Sequence, residues 1–321
     1  MACDPYTSFN KVEHIGQTLL SSELENNLKW YLDYGLLGIG GWSNVNIPEA
    51  GPYGGNYDRL RPVNDPSYSD GQVWESSRKD WVWETGSPYS GYDPIQISGV
   101  YINSTIRTTG EVGYEHHYDY PLGRVVFDSA ISQSETVQIE YSHRNVQVYI
   151  ADQAPWWDEL QYDSLRVDDD DYLSTGTGAW GVLSNHRVQM PAIILETVPR
   201  RRFTPYQMGD LSQIVQQDIV FHVVSENRWW RNQLIDILSL QKDSQIQLFD
   251  TDTLIDSGVY PLDFRGMKTT DNTLNYNGVV STTQYKYALA RMTEINITEM
   301  ETHNSRLYEG TVRATLELVL E

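Results

Sequence analysis

Residues 191–250, PAIILETVPRRRFTPYQMGDLSQIVQQDIVFHVVSENRWWRNQLIDILSLQKDSQIQLFD, decide how the chain folds. They read as strand, loop, strand, helix, strand. The apolar run Ala192, Ile193, Ile194 and Leu195 marks a first strand over 188–198. Pro199, the basic run Arg200, Arg201 and Arg202, and residues 205–209 then read as a turn-rich loop. A second strand over 217–224 alternates Ile219, Phe221 and Val223 with Val220, His222 and Val224. Apolar groups on both faces are the pattern of a strand covered on two sides. Ser225 and Asn227 offer N-cap oxygens to a helix over 228–242, on which Trp230, Leu234, Ile237 and Leu238 form one stripe. Residues 244–249 lead out as a short strand.

The partner of this unit is the C-terminal end. Over 311–320, Val312, Ala314, Leu316, Leu318 and Leu320 alternate with Thr311, Arg313, Thr315 and Glu317. Strict period two is the signature of a half-buried strand. Leu289, Ile295 and Ile297 mark another over 285–299. Residues 186–321 therefore read as one α+β domain, a mostly antiparallel sheet with a helix on one face.

The 321 residues are enough for two or three cores, and 40% hydrophobic content argues for folded structure. Cys3 is the single cysteine, which excludes an internal disulfide and a cysteine-rich metal site and suits synthesis in the cytoplasm. The first ten residues lack the order of a secretion signal, and no apolar run approaches membrane-spanning length. Net charge is −21, and its distribution is uneven. Residues 1–185 carry 10 Lys and Arg against 27 Asp and Glu; residues 186–321 carry 13 against 17. Such an acidic first half repels free nucleic acid. It is either a solvated face that aids solubility or a wall past which DNA slides without sticking.

Upstream of the C-terminal domain the chain divides into four parts. Residues 1–37 hold a helix over 22–34, with Ser22 to Glu25 as a capping box and Gly35 as its stop. Its stripe of Leu20, Leu24, Leu28, Tyr31 and Leu32 needs a distant surface, and the C-terminal sheet is the candidate. Residues 38–93 are rich in Gly, Pro, Asn, Ser and Tyr, with Trp42, Trp74, Trp81 and Trp83 among them, and show weak periodicity. They read as a long arm, either folded against a neighbouring subunit or wrapped as irregular structure on its own domain. Residues 94–152 read as a small β module, with a turn at Tyr120 to Arg124 and a hairpin loop at Ser142 to Asn145 between strands 136–141 and 145–150. Residues 153–185 read as an acidic linker containing the run Asp168 to Asp171.

Few residue clusters carry chemistry. Glu115, His116, His117 and Asp119 are competent metal ligands, but adjacent residues of a strand point to opposite faces, and a polar loop is the favoured reading. Asp168 to Asp171 lack the spacing of a calcium loop. Gly38, Gly40 and Gly41 lack the Lys-Ser/Thr ending of a phosphate loop. No nucleophile motif is present, so catalytic residues, cofactors and metals are not assigned. The run Arg200, Arg201 and Arg202 suits phosphates or, better in a protein so rich in carboxylates, the acidic half of a neighbouring copy. Trp229 and Trp230 open the main helix; only one can fully face the sheet, leaving the other as an interface anchor. Trp74, Trp81 and Trp83 join them as interface candidates.

The order of elements, with Met190-Pro191-Ala192-Ile193-Ile194-Leu195, then Asp218 to Val224, then the helix from Asn232, then Gly310 to Leu318, resembles the tail-terminator (tail-completion) proteins of tailed bacteriophages. In that family an N-terminal helix, a Pro-Ala-hydrophobic strand, a return strand, a helix and a final alternating strand make an α+β protomer, and six protomers form a ring that caps the tail tube. The resemblance covers residues 186–321 and about 20–35, so 38–185 would be an insertion. It implies a structural virion protein of the neck, made in the host cytoplasm. Its partners would be copies of itself in a ring of six, the connector, the tail tube or sheath, and passing genomic DNA, with no membrane and no catalysis. Edges near 217–224 and 311–320 are expected to pair between protomers. Two other readings compete: a tail-fibre or baseplate glycan-binding module using the Tyr and Trp residues, and a metal-dependent hydrolase using Glu115, His116, His117 and Asp119.

Overall fold

The computed structural model describes residues 18–50, 56–63, 65–154, 189–207, 212–269, 276–304 and 307–320. The acidic run Asp168 to Asp171, Cys3 and nearly all of the expected linker lie outside the described residues. The chain is α+β, combining helices with a strand-rich, mostly antiparallel architecture.

The C-terminal unit is a six-stranded sheet. Its strands are β10 (Gln147–Ile150), β11 (Ala192–Pro205), β12 (Gln213–Ser225), β13 (Gln245–Phe249), β14 (Lys286–Asn304) and β15 (Leu307–Leu320), in the spatial order β10-β11-β12-β15-β14-β13. All neighbours are antiparallel except β10 and β11. The three segments around Ile193, Phe221 and Leu316 thus lie in one sheet, with β12 and β15 side by side at its centre. The alternation reads directly into burial: Val312, Ala314, Leu316 and Leu318 are buried, while Thr311, Arg313, Thr315 and Glu317 are half-exposed.

Two helices cover one face. α1 (Leu20–Gly38) buries Leu20, Leu24, Leu28, Leu32 and Leu36, which share a core with Ile193, Phe221, Leu248 and Leu316. α2 (Arg228–Ser239) is capped by Asn227, whose side chain accepts from Trp229 N. Its buried residues are Arg231, Leu234, Ile235 and Leu238; Trp230 and Ile237 of the expected stripe are only half-buried. Two short helices follow, α3 (Thr251–Asp256) and α4 (Tyr276–Val280).

Several local expectations for α1 fail for one reason, tertiary contact. Ser22 is not its cap: the helix begins at Leu20, and Leu19 makes no side-chain cap bond. Glu23 and Glu25 face other elements. Glu23 accepts from Thr251 N at 3.0 Å and from the Thr251 hydroxyl, and Glu25 accepts from the Thr197 hydroxyl at 2.5 Å. Asn27 bonds both backbone groups of Phe249, at 2.8 and 3.0 Å, as a neighbouring strand would. Gly35 stays helical. The stop is Gly40, at φ 83°, where Gly40 N and Gly41 N bond back to Leu37 O and Leu36 O. The Gly38-Gly41 cluster is therefore a helix terminus.

Residues 42–144 form a second β core from short strands: β1 (Trp42–Val45), β2 (Arg61–Pro62), β3 (Val73–Glu75), β4 (Val100–Ile102), β5 (Thr105–Arg107), β6 (His116–Asp119), β7 (Arg124–Phe127), β8 (Val137–Ile139) and β9 (Tyr141–Arg144). They pair as β2-β3-β7-β6, β5-β4-β8 and β1-β9. The cut expected at residue 93 does not exist in this core. Strands from both sides of it interleave, and Trp74, Trp81 and Trp83 pack with Val100, Phe127, Ile139 and Tyr141. The expected hairpin at Ser142 to Asn145 is also corrected. Ser142, His143 and Arg144 continue β9 against β1, Asn145 N bonds to Gly41 O, and the chain then crosses to the other core, where β10 lies parallel to β11. Val146 and Val148 are drawn there by the apolar surface under α1.

Candidate functional site

Alternation along four strands places one set of side chains on the sheet face opposite α1 and α2. In its lower half Arg200 and Arg202 of β11, Gln216 and Asp218 of β12, Arg313 and Thr315 of β15, and Thr293, Glu294 and Asn296 of β14 line a shallow polar basin of about 480 Å³. Asp218 sits at its centre, accepting from Arg313 and, at 2.9 Å, from the Thr315 hydroxyl. Burial opposes its charge, but those bonds and the nearby Arg313 and Arg200 outweigh it and hold its pKa below the usual carboxylate value. In the upper half the same face is apolar, with Ala192, Ile194, Val224, Leu307 and Ala154 packed together. His222 stands between the two, its Nδ1 3.0 Å from Glu309 and its Nε2 3.3 Å from Glu196.

Arg200, Arg201 and Arg202 lie in β11, not in a loop. A bulge between Thr197 and Arg201 absorbs Pro199, so the strand continues past the proline to Pro205. Arg201 points to the helix side, donating to Gln217 and to Ser21 of α1, both at 2.6 Å. Arg200 and Arg202 are exposed on the basin side.

Inside its end strands β10 and β13, the sheet has two open half-edges among the described residues. β10 covers β11 only along Ala192 to Leu195, and β13 covers β14 only up to Arg291, with Met292 still bonded to Ser244. Among the described residues nothing pairs with the outer side of residues 197–205 or of residues 293–304. The edges expected at 217–224 and 311–320 are corrected by this topology, because β12 and β15 have neighbours on both sides. Each open half-edge also exposes a large apolar side chain, Phe203 on β11 and Ile297 on β14.

The aromatic candidates separate. Trp229 is 60% exposed at the start of α2 and meets half-buried Trp230 edge-on at 5.0 Å. Trp74, Trp81 and Trp83, expected at an interface, are buried in this chain's own core at 1, 0 and 8% exposure and present no surface to another subunit or to a sugar. The drive to bury indole area was satisfied within the chain.

The His-rich segment does not converge. His116 is buried against Phe127, with Nδ1 2.7 Å from Tyr114 O and Nε2 3.2 Å from the Tyr118 hydroxyl. Burial lowers its pKa and that of His117. Asp119 accepts from Leu122 N, and burial raises its pKa to about 6. Among the described residues no group of three or more His, Cys, Asp or Glu is placed to hold a metal ion. Among them also, no helix is long and apolar enough to cross a membrane.

One cluster was missed by sequence reasoning. Arg144 is buried where α1 meets the second core, with Asp80 at 3.0 Å, Glu84 in direct hydrogen bond and Asp33 of α1 at 3.9 Å. Burial, helped by Asp80 and Glu84, raises the Asp33 pKa to about 7 against the pull of Arg144. Asp33, the Asp80 and Glu84 pair, and Arg144 are far apart in sequence and share no motif, so nothing local announced the cluster.

No model of a known protein family matches the chain, and comparison with the sequences of curated proteins gives no match.

Proposed function

We propose that the chain is a structural protein of the neck of a tailed bacteriophage, a tail-terminator-like subunit that repeats around a ring. The ring would join the head connector to the tail tube or sheath and let genomic DNA pass without reading its sequence. One observation carries this reading: the N-terminal helix, the Pro-Ala-hydrophobic strand, the return strand, the second helix and the final alternating strand all belong to one sheet and its helical face. Separate sheets would have left the resemblance without a scaffold. The open half-edges supply surface for copies to meet, and one heterologous contact repeated by rotation closes a ring. The concentration of acid in residues 1–185 suits a channel wall that DNA slides past.

The test is the size and symmetry of the purified full-length protein. Light scattering on a sizing column and negative-stain images are expected to give an annulus of six copies. A monomer that persists at high concentration sinks the reading.

A further inference from the structure

The two open half-edges match each other in four respects. The first is direction. β11 and β14 run oppositely within the sheet, so two copies set side by side in the same orientation bring β14 of one antiparallel to β11 of the next. That is the more stable of the two ladders. The second is charge. Residues 197–205 contain Arg200, Arg201 and Arg202 and no acid; residues 293–304 contain Glu294, Glu299 and Glu301 and no Lys or Arg. The basic run of an otherwise acidic protein thus lies along one open edge, and a triplet of acids along the other. The third is apolar exposure, with Phe203 on one edge and Ile297 on the other.

The fourth is position. The open half of β11 is centred level with Gln216 and Gln217 of β12, whereas that of β14 is centred level with His222. The offset is five to six rungs, ~18 Å at ~3.3 Å per residue. The repeat from β11 to β14 is four strands, ~19 Å at ~4.8 Å each. Copies joined half-edge to half-edge are therefore staggered, with strands tilted by about 45°, close to the tilt that closes β-barrels.

We infer that the seam between copies is an antiparallel pairing of residues 197–205 of β11 in one subunit with residues 293–304 of β14 in the next, an inference that rests on the ring reading above. The partner is a second copy of this chain, selected by charge. Pro199 and Pro205 carry no N–H, so the ladder on that edge runs through the residues between them. Register shifts at Thr293, Thr298 and residue 303 interrupt the other edge, and the hydroxyls of Thr293 and Thr298 bond to Thr315 O and Thr311 O.

The test uses the full-length protein, with far-UV circular dichroism to show that each variant is folded. Arg200→Glu with Arg202→Glu, and separately Glu294→Lys with Glu299→Lys, are each expected to weaken assembly at least about tenfold by setting like charges together. The four substitutions combined are expected to restore it. Hydrogen exchange on the wild-type protein gives a readout without substitution: amides of both segments slow on assembly. If the wild type never assembles, the ring reading fails and the seam with it. If the wild type assembles but either double variant assembles equally well, the seam alone is wrong. Failure of the combined variant to recover overturns the seam, as does exchange at 197–205 and 293–304 that is unchanged by assembly. A ring that survives Arg200→Glu with Arg202→Glu but loses retention of DNA overturns it too, and gives the arginines to phosphate.

Discussion

The two cores solve the same burial problem with different materials. The C-terminal sheet uses strands of up to 19 residues, aliphatic and alternating, with two helices laid across one face. The core of residues 42–144 uses strands of two to four residues joined by turns, and buries Trp74, Trp81, Tyr141 and Phe127 in place of a leucine stripe. A long alternating strand carries its orientation in every second residue. A three-residue strand carries almost none, so its partners are chosen by contacts from elsewhere in the chain. The lesson is that aromatic, turn-rich sequence without periodicity can be a compact core as well as an arm.

The cores meet at Arg144, and the largest loss of stability is expected there. Arg144→Met leaves buried Glu84 and half-buried Asp33 and Asp80 without their cation. Breaking a buried pair in this way costs about 3–5 kcal/mol. Urea unfolding followed by tryptophan fluorescence should show the loss; a change below about 1 kcal/mol would mean that the cores do not depend on this joint.

Tryptophans give the next contrast. Trp81→Ala removes a fully buried indole that donates to Ser76 and to Arg78 O, and is expected to cost about 3–5 kcal/mol. Trp229→Ala, at an exposed position, is expected to stay within about 0.5 kcal/mol. Equal melting shifts for the two would contradict the assignment of Trp81 to a core and Trp229 to a surface.

The last contrast is a pH dependence that Glu23 brings to the C-terminal unit. Burial raises the Glu23 pKa to about 7, against the bonds from Thr251 and with help from Asp250 and Asp252. A carboxyl raised on folding binds its proton more tightly in the native state. Its contribution is therefore fully present below its unfolded value of 4.5 and is lost as pH rises through about 7. Glu23→Gln keeps an acceptor for Thr251 and removes the titration. Its melting temperature should match the wild type near pH 4 and exceed it near pH 8. Parallel curves across that range would show that Glu23 does not titrate in this way.

Much of the C-terminal sheet was legible because its signals are local and repeated. Ile219, Phe221 and Val223, or Val312 through Leu318, name a buried face without reference to anything else in the chain, and Asn227 caps α2 as its side-chain chemistry dictates. Less of the candidate site was legible. Pro199 and three arginines read as a loop because proline and charge are turn-like in isolation, yet an edge strand admits both once a bulge takes up the proline.

Sequence alone was enough for the alternating strands and the capped helix α2 of the C-terminal unit, since a period of two or 3.6 is a property of consecutive residues. Which strands stand at the edges, that the short strands from β1 to β9 share one core, and that Arg144 joins it to α1 were settled by three-dimensional packing. Those outcomes depend on pairings between residues tens to hundreds of positions apart. Backbone hydrogen bonds are chemically alike at every residue, so order within a sheet is set by which faces can be buried together.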